Sequence, residues 1–154
     1  MNVSGANKFW GEFEVGADER GRFLAPQEFR AGLGEEFVIT RGPDRVALLV
    51  PNPVWQTIET RLYSDPITSP SRILQRLFAS RYQISADSRG RITIPRNLQN
   101  WMQQSDDREM TLLGQGSCIE VWDRKRWLEY QENFTSANII DAAKALDLQE
   151  VFKL

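Results

Sequence analysis

Apolar and polar residues alternate with a period of two along Glu12-Phe13-Glu14-Val15, which predicts a half-buried strand near the start of the chain. A second short strand is expected from Arg22 to Ala25. Pro26 then opens a brief helix over 27–31, which Gly32 and Gly34 stop. Two β-rich runs follow, Phe37 to Thr40 and Val46 to Val50, and the turn Arg41-Gly42-Pro43-Asp44 between them predicts a hairpin. Pro51 and Pro53 close this half. A helix is expected from Val54 to Tyr63, carrying Trp55.

The same order recurs. A strand from Tyr82 to Ala86 leads to a turn, a strand from Arg91 to Ile94 and a helix opened by Pro95. Met110 to Leu113 and Cys118 to Trp122 form a second hairpin around Gly114-Gln115-Gly116-Ser117. A helix begins near Asp123 and places Trp127 where the first half has Trp55. Between the halves, Ser64 to Pro70 reads as a turn-rich connector. Beyond it, Ile73, Leu74, Leu77 and Phe78 fall at helical spacing, as do Ile139, Ile140, Ala143 and Leu146 in the tail. Both stripes are expected to make core or subunit contacts rather than to bind a membrane.

Each half thus holds four short strands and too little apolar surface to fold alone. Two halves related by a pseudo-two-fold axis can bury one shared core, and the axis then brings equivalent turns onto one surface. The expected organisation is a first unit over 12–54, a helical connector over 55–80, a second unit over 81–124 and a helical tail over 125–154.

The turns are the most specific feature. Residues 18–26 read Asp-Glu-Arg-Gly-Arg-Phe-Leu-Ala-Pro, and residues 87–95 read Asp-Ser-Arg-Gly-Arg-Ile-Thr-Ile-Pro, so the pattern D-x-R-G-R-x-x-x-P occurs twice. Gly21 and Gly90 permit the positive φ that a tight turn before a strand needs. Asp18 can pair with Arg22 and Asp87 with Arg91, fixing each guanidinium in one direction. Arg20 and Arg89 stand at the turn tips and face solvent. Such bridges can serve only to stiffen turns. However, an exposed ion pair contributes about 0–1 kcal/mol, a weak reason to build one twice, and each turn carries a second arginine that its aspartate does not neutralise.

Composition narrows the chemistry. The 154 residues contain no histidine and one cysteine, Cys118. His-based acid–base catalysis, Ser-His and Cys-His nucleophiles and most zinc sites are therefore excluded. No catalytic residue, metal site or cofactor is expected, and no small-molecule substrate is evident. The lone cysteine points to a reducing cytoplasm. No stretch has the length or apolarity of a membrane span or a secretory h-region. The net charge of −2 is unlike that of a typical nucleic-acid binder, yet its distribution is uneven. Arg72, Arg76, Arg81, Arg89, Arg91 and Arg96 face a single acid, Asp87, between Ser69 and Arg96, whereas the tail is acidic. Arginine prevails over lysine, which suits forked hydrogen bonds to phosphate or guanine.

The duplicated D-x-x-G-R-x-x-x-P turn, each followed by a short helix and a hairpin, resembles the MraZ family, whose members carry two SpoVT/AbrB-type domains. Phe29-Arg30, Gln75-Arg76-Leu77-Phe78, Leu112-Leu113-Gly114-Gln115 and Glu120-Val121-Trp122-Asp123 add to the likeness, which covers Phe13 to Trp127. The resemblance implies an α+β, mainly β fold with short helices, a duplicated swapped-hairpin barrel of AbrB type, and a ring-shaped homo-oligomer. It also implies a cytoplasmic, nucleoid-associated regulator. Such a protein binds short direct repeats in double-stranded DNA upstream of its own operon, the division and cell-wall cluster, and represses it. The family's D-x-x-x-R signature falls on Asp18 and Arg22 and on Asp87 and Arg91, and its basic turn positions fall on Arg20 and Arg89. Glu19 places an acid where the second turn has Ser88, and Phe23-Leu24-Ala25 is less β-prone than Ile92-Thr93-Ile94, so the second turn is expected to contribute more. The rival reading is an oligomeric interaction or antitoxin-like module whose arginines grip an acidic partner without reading DNA.

Overall fold

Eight strands and six helices account for most of the computed structural model, which describes residues 9–64 and 69–152. The first half comprises β1 (Glu12–Gly16), β2 (Arg22–Leu24), α1 (Gln27–Leu33), β3 (Glu36–Arg41), β4 (Ala47–Pro51) and α2 (Asn52–Ser64). α3 (Ser69–Leu77) joins the halves, and the second comprises β5 (Tyr82–Ser85), β6 (Arg91–Thr93), α4 (Arg96–Trp101), β7 (Glu109–Gly114), β8 (Ile119–Asp123), α5 (Arg124–Tyr130) and α6 (Ser136–Ala145). The class is α+β, as the sequence predicts.

The halves are interleaved. Six strands form one antiparallel sheet in the order β1-β7-β8-β4-β3-β5, and β2 pairs with β6 in a separate ribbon. β1 leaves its own hairpin and pairs with β7 of the other half, with Phe13 opposite Leu112 and Val15 opposite Met110. β5 pairs in turn with β3, with Phe37 opposite Ile84. Exchanging the halves reverses the strand order and leaves it unchanged, which is the signature of a pseudo-two-fold axis between β4 and β8.

Alternation along the central strands covers both faces of the sheet. Phe37 and Ile39 of β3, Leu49 of β4, Leu112 of β7 and Val121 of β8 point into the main core, where Phe23, Phe29, Ile92, Ile94 and Leu98 meet them. This core draws on both halves, so neither buries its apolar face alone. On the opposite face, Val38 and Val50 pack under Val54 and Trp55 of α2. Leu113 and Trp122 pack under Trp127 of α5.

Several boundaries shift by a residue or two from the sequence expectation, and two of these shifts are informative. α1 continues through Gly32 to Leu33 and stops at Gly34, the second glycine expected there, while at Gly32 a Cβ would lie 2.6 Å from the ring of Phe9, which is fully buried. That glycine admits an aromatic ring instead of ending a helix. α3 begins at Ser69, so Pro70 lies inside its first turn, where the missing N–H costs no helical bond. The connector is accordingly shorter than expected, and residues 65–68 of it lie outside the described residues. The stripes on α3 and α6 are only partly covered: Leu77 and Phe78 are half-buried and Ala143 is buried, whereas Ile73, Leu74, Ile139 and Leu146 remain exposed. No helix among the described residues is long and apolar enough to cross a membrane.

Candidate nucleic-acid interface

The two arginine turns have the same construction. Gly21 N–H donates to the Asp18 carbonyl at 3.0 Å and Gly90 N–H to the Asp87 carbonyl at 2.9 Å, closing four-residue turns. Their glycines sit at φ +80° and +81°, in the left-handed region that other residues rarely adopt. The aspartate organises each turn from within. Asp18 Oδ1 accepts the backbone N–H groups of Arg20 and Arg22, both at 2.9 Å, while its Oδ2 accepts Arg22 Nε at 2.6 Å. Asp87 repeats this, with Oδ1 accepting from Arg89 and Arg91 at 2.9 and 2.8 Å and Oδ2 accepting Arg91 Nε at 2.8 Å.

Register decides where the arginines point. In the ribbon, Arg22 lies opposite Thr93, Phe23 opposite Ile92 and Leu24 opposite Arg91. Side chains alternate across a strand, so Phe23 and Ile92 enter the core and are 2% and 0% exposed. Arg22, Leu24, Arg91 and Thr93 therefore share the outer face. Arg22 and Arg91 are diagonal neighbours there, which sets their Cα atoms about 7–8 Å apart. Each guanidinium engages its aspartate through Nε, which leaves the Nη groups free of that bond. Arg20 and Arg89 are exposed at the tips, and among the described residues neither is paired with an acid.

Both carboxyls titrate below their ordinary value, first because the backbone N–H of Arg22 or Arg91 binds the charged form. The guanidinium adds to this and desolvation opposes it. A depressed carboxyl stabilises the fold above its unfolded pKa, and the contribution disappears as the pH falls through the folded value. The braces are therefore complete at neutral pH and fail only in acid. A carboxyl-carbon NMR titration is expected to place both midpoints below 3.8, the unperturbed value; midpoints at or above it would show that the braces do not form in solution.

One further arginine reaches a turn. Arg30 of α1 donates from Nε to the Ala25 carbonyl at 3.0 Å, and its Nη1 would lie 2.5 Å from a Cβ at Gly90. Its counterpart across the axis is Gln99 of α4, which donates to the Ile94 carbonyl at 2.8 Å and fills the corresponding space at Gly21. Each turn is thus backed by a side chain from the opposite half. Sequence reasoning gave Arg30 no site role; the signal available was the repeat itself, since Arg30 and Gln99 stand 69 positions apart, as do Asp18 and Asp87. Elsewhere, burial and the Glu120 carboxylate push the Cys118 thiol up to about 11, so it is protonated at neutral pH. Among the described residues no three His, Cys, Asp or Glu side chains gather as a metal site.

Interleaved hairpins with one arginine turn built twice into a single chain define a duplicated swapped-hairpin protein. Comparison with known proteins agrees. The family model "MraZ protein, putative antitoxin-like" matches twice, over residues 9–76 and 77–150. A Herpetosiphon aurantiacus protein named transcriptional regulator MraZ is 42% identical over 128 residues, covering 82% of this chain and 88% of its own. Relatives of the same name from Pelotomaculum thermopropionicum and Syntrophomonas wolfei are 35% and 33% identical over 142 residues, each covering 91% of this chain and 97% and 98% of their own. The chain belongs to the MraZ family.

Proposed function

We propose that this chain is a sequence-specific, DNA-binding transcriptional regulator that represses its own operon through short direct repeats. The carrying observation is the ribbon register, which sets Arg22 and Arg91 on one solvent face with each guanidinium braced by an aspartate. B-DNA's major groove admits a two-stranded β-ribbon, and arginine donates in a fork to guanine O6 and N7. In this reading Arg22 and Arg91 read guanines, and their diagonal spacing matches about two base-pair steps of roughly 3.4 Å. Arg20 and Arg89 hold phosphates and supply salt-dependent affinity. Asp18 and Asp87 aim the readers, and Gly21 and Gly90 permit the turns.

Units 12–54 and 81–124 form the reading surface, and the connector and tail serve assembly. Ile73 and Leu74 on α3, with Ile139 on α6 and Leu146 just beyond its end, leave apolar surface that supports contacts between copies in a homo-oligomeric ring. Subunits side by side would engage successive boxes, so avidity multiplies a weak single-subunit affinity.

The test is equilibrium binding to DNA from upstream of the coding region, against scrambled DNA of equal length. Preferential binding is expected, with boxes recurring at roughly one helical turn, about 10 bp. Inserting half a turn between boxes is expected to reduce affinity to that of a single box. Indifference to sequence would refute base readout, and binding to an acidic protein but not to DNA would establish the antitoxin-like alternative.

A further inference from the structure

A surface with true two-fold symmetry docks on a duplex equally well in either direction, as symmetric dimers do on palindromes. The ribbon of this chain is close to that symmetry, because its two turns repeat one motif and the same aspartate-centred hydrogen bonds and face each other in a symmetric register. The side chains behind the turns are not equivalent. The second turn, with Asp87, Arg89 and Arg91, is backed by Arg30, so one acid meets three arginines. The first, with Asp18, Glu19, Arg20 and Arg22, is backed by the neutral Gln99, so two acids meet two arginines.

Resting on the DNA-binding reading above, we propose that Arg30 is a phosphate-binding residue of the second turn and that the Arg30/Gln99 difference, together with Glu19 against Ser88, fixes the direction in which each subunit sits on its box. The local geometry supports a charge role rather than a bracing one. Both side chains do the same structural work: each bonds the carbonyl just before the motif proline, at Ala25 or Ile94, and each lies against the opposite turn's glycine. Glutamine performs that work in the first turn, so an arginine is not needed for it in the second. What Arg30 adds is a positive charge beside Gly90, between Arg89 and Arg91 in the chain. Phosphate approaching this turn meets a cluster of guanidinium groups, which makes the second turn the stronger anchor.

The chain itself supplies the test variant. Arg30→Gln copies the arrangement at Gln99 and removes only charge, so its thermal midpoint is expected to match the parent's. Its affinity for a single box at 0.1 M salt is expected to fall about five- to tenfold, and the slope of log K against log salt by about 0.9, the value of one phosphate contact. The exchange Arg30→Gln with Gln99→Arg is expected to recover affinity and to abolish the directional preference, because with Glu19 in place each turn then holds one arginine beyond its acids. Direction is read with a DNA-cleaving reagent tethered at Ser88→Cys in a Cys118→Ser background. Cuts should fall on one side of the box in the parent, remain biased to that side but less sharply in Arg30→Gln, and fall evenly on both sides in the exchange. If the parent binds the box and Arg91→Ala abolishes binding, while Arg30→Gln leaves affinity, salt slope and cutting pattern unchanged, this inference is overturned and the DNA-binding reading stands. If the parent ignores the box at low salt, the DNA-binding reading itself fails.

Discussion

Replacing Arg22 and Arg91 together with alanine is expected to abolish specific binding to upstream DNA while leaving the fold intact. A good bidentate arginine–guanine pair contributes about 1–3 kcal/mol of discrimination, so losing two lowers specific affinity by roughly 30-fold to 10⁴-fold. The fold should survive because both side chains lie on the outer face of the ribbon and their ion pairs are partly exposed. Such pairs contribute about 0–1 kcal/mol each to stability. Residual binding through Arg20, Arg89 and the other cations should be insensitive to sequence and steeply salt-dependent. Fluorescence anisotropy on promoter and scrambled duplexes, with circular dichroism as a check on folding, separates these effects. Wild-type discrimination in the double variant would remove the motif from recognition.

The second large effect is on stability, from the opposite face of the same ribbon. Phe23→Ala is expected to cost about 3–5 kcal/mol, the usual range for truncating a buried aromatic residue. Phe23 is 2% exposed and lies opposite Ile92 in the core that both halves share. The whole stability of a domain is typically about 5–15 kcal/mol, so this single change would bring the chain close to unfolding. Its neighbour offers the control: Leu24 is 51% exposed, and Leu24→Ala should change the urea midpoint little. Because the shared core makes unfolding one cooperative event, both halves should be lost in a single transition. Two separated transitions, or a small effect of Phe23→Ala, would show that the halves are stabilised independently.

These two predictions also mark how far the sequence could be read. The D-x-R-G-R turns, their pairing of Asp18 with Arg22 and Asp87 with Arg91, and the two hairpins were legible because they depend on local geometry: a positive-φ glycine, a carboxylate within reach and alternating strands. The partner of each strand was not. Period-two alternation shows that Phe13 and Val15 share a face, but nothing local shows that this face pairs with Met110 and Leu112 instead of its own hairpin. The end of α1 was misjudged for a related reason. Gly32 reads as a stop unless one knows that the Phe9 ring, distant in sequence, fills the space of its missing Cβ. Arg30 was visible as part of a family-like stretch, yet its place behind the second turn follows only from the crossing of the halves. Local chemistry was written in the motif, and the shared surface was written in the topology.

Methylation interference on the upstream DNA tests directly whether the paired turns grip bases. With the parent chain, N7-methylation is expected to block binding at guanines two to three base pairs apart in each box, about the diagonal spacing of Arg22 and Arg91. Arg91→Ala should erase the sensitivity at one guanine and Arg22→Ala at the other. Interference that is absent, or that persists unchanged in both variants, would contradict recognition through these arginines.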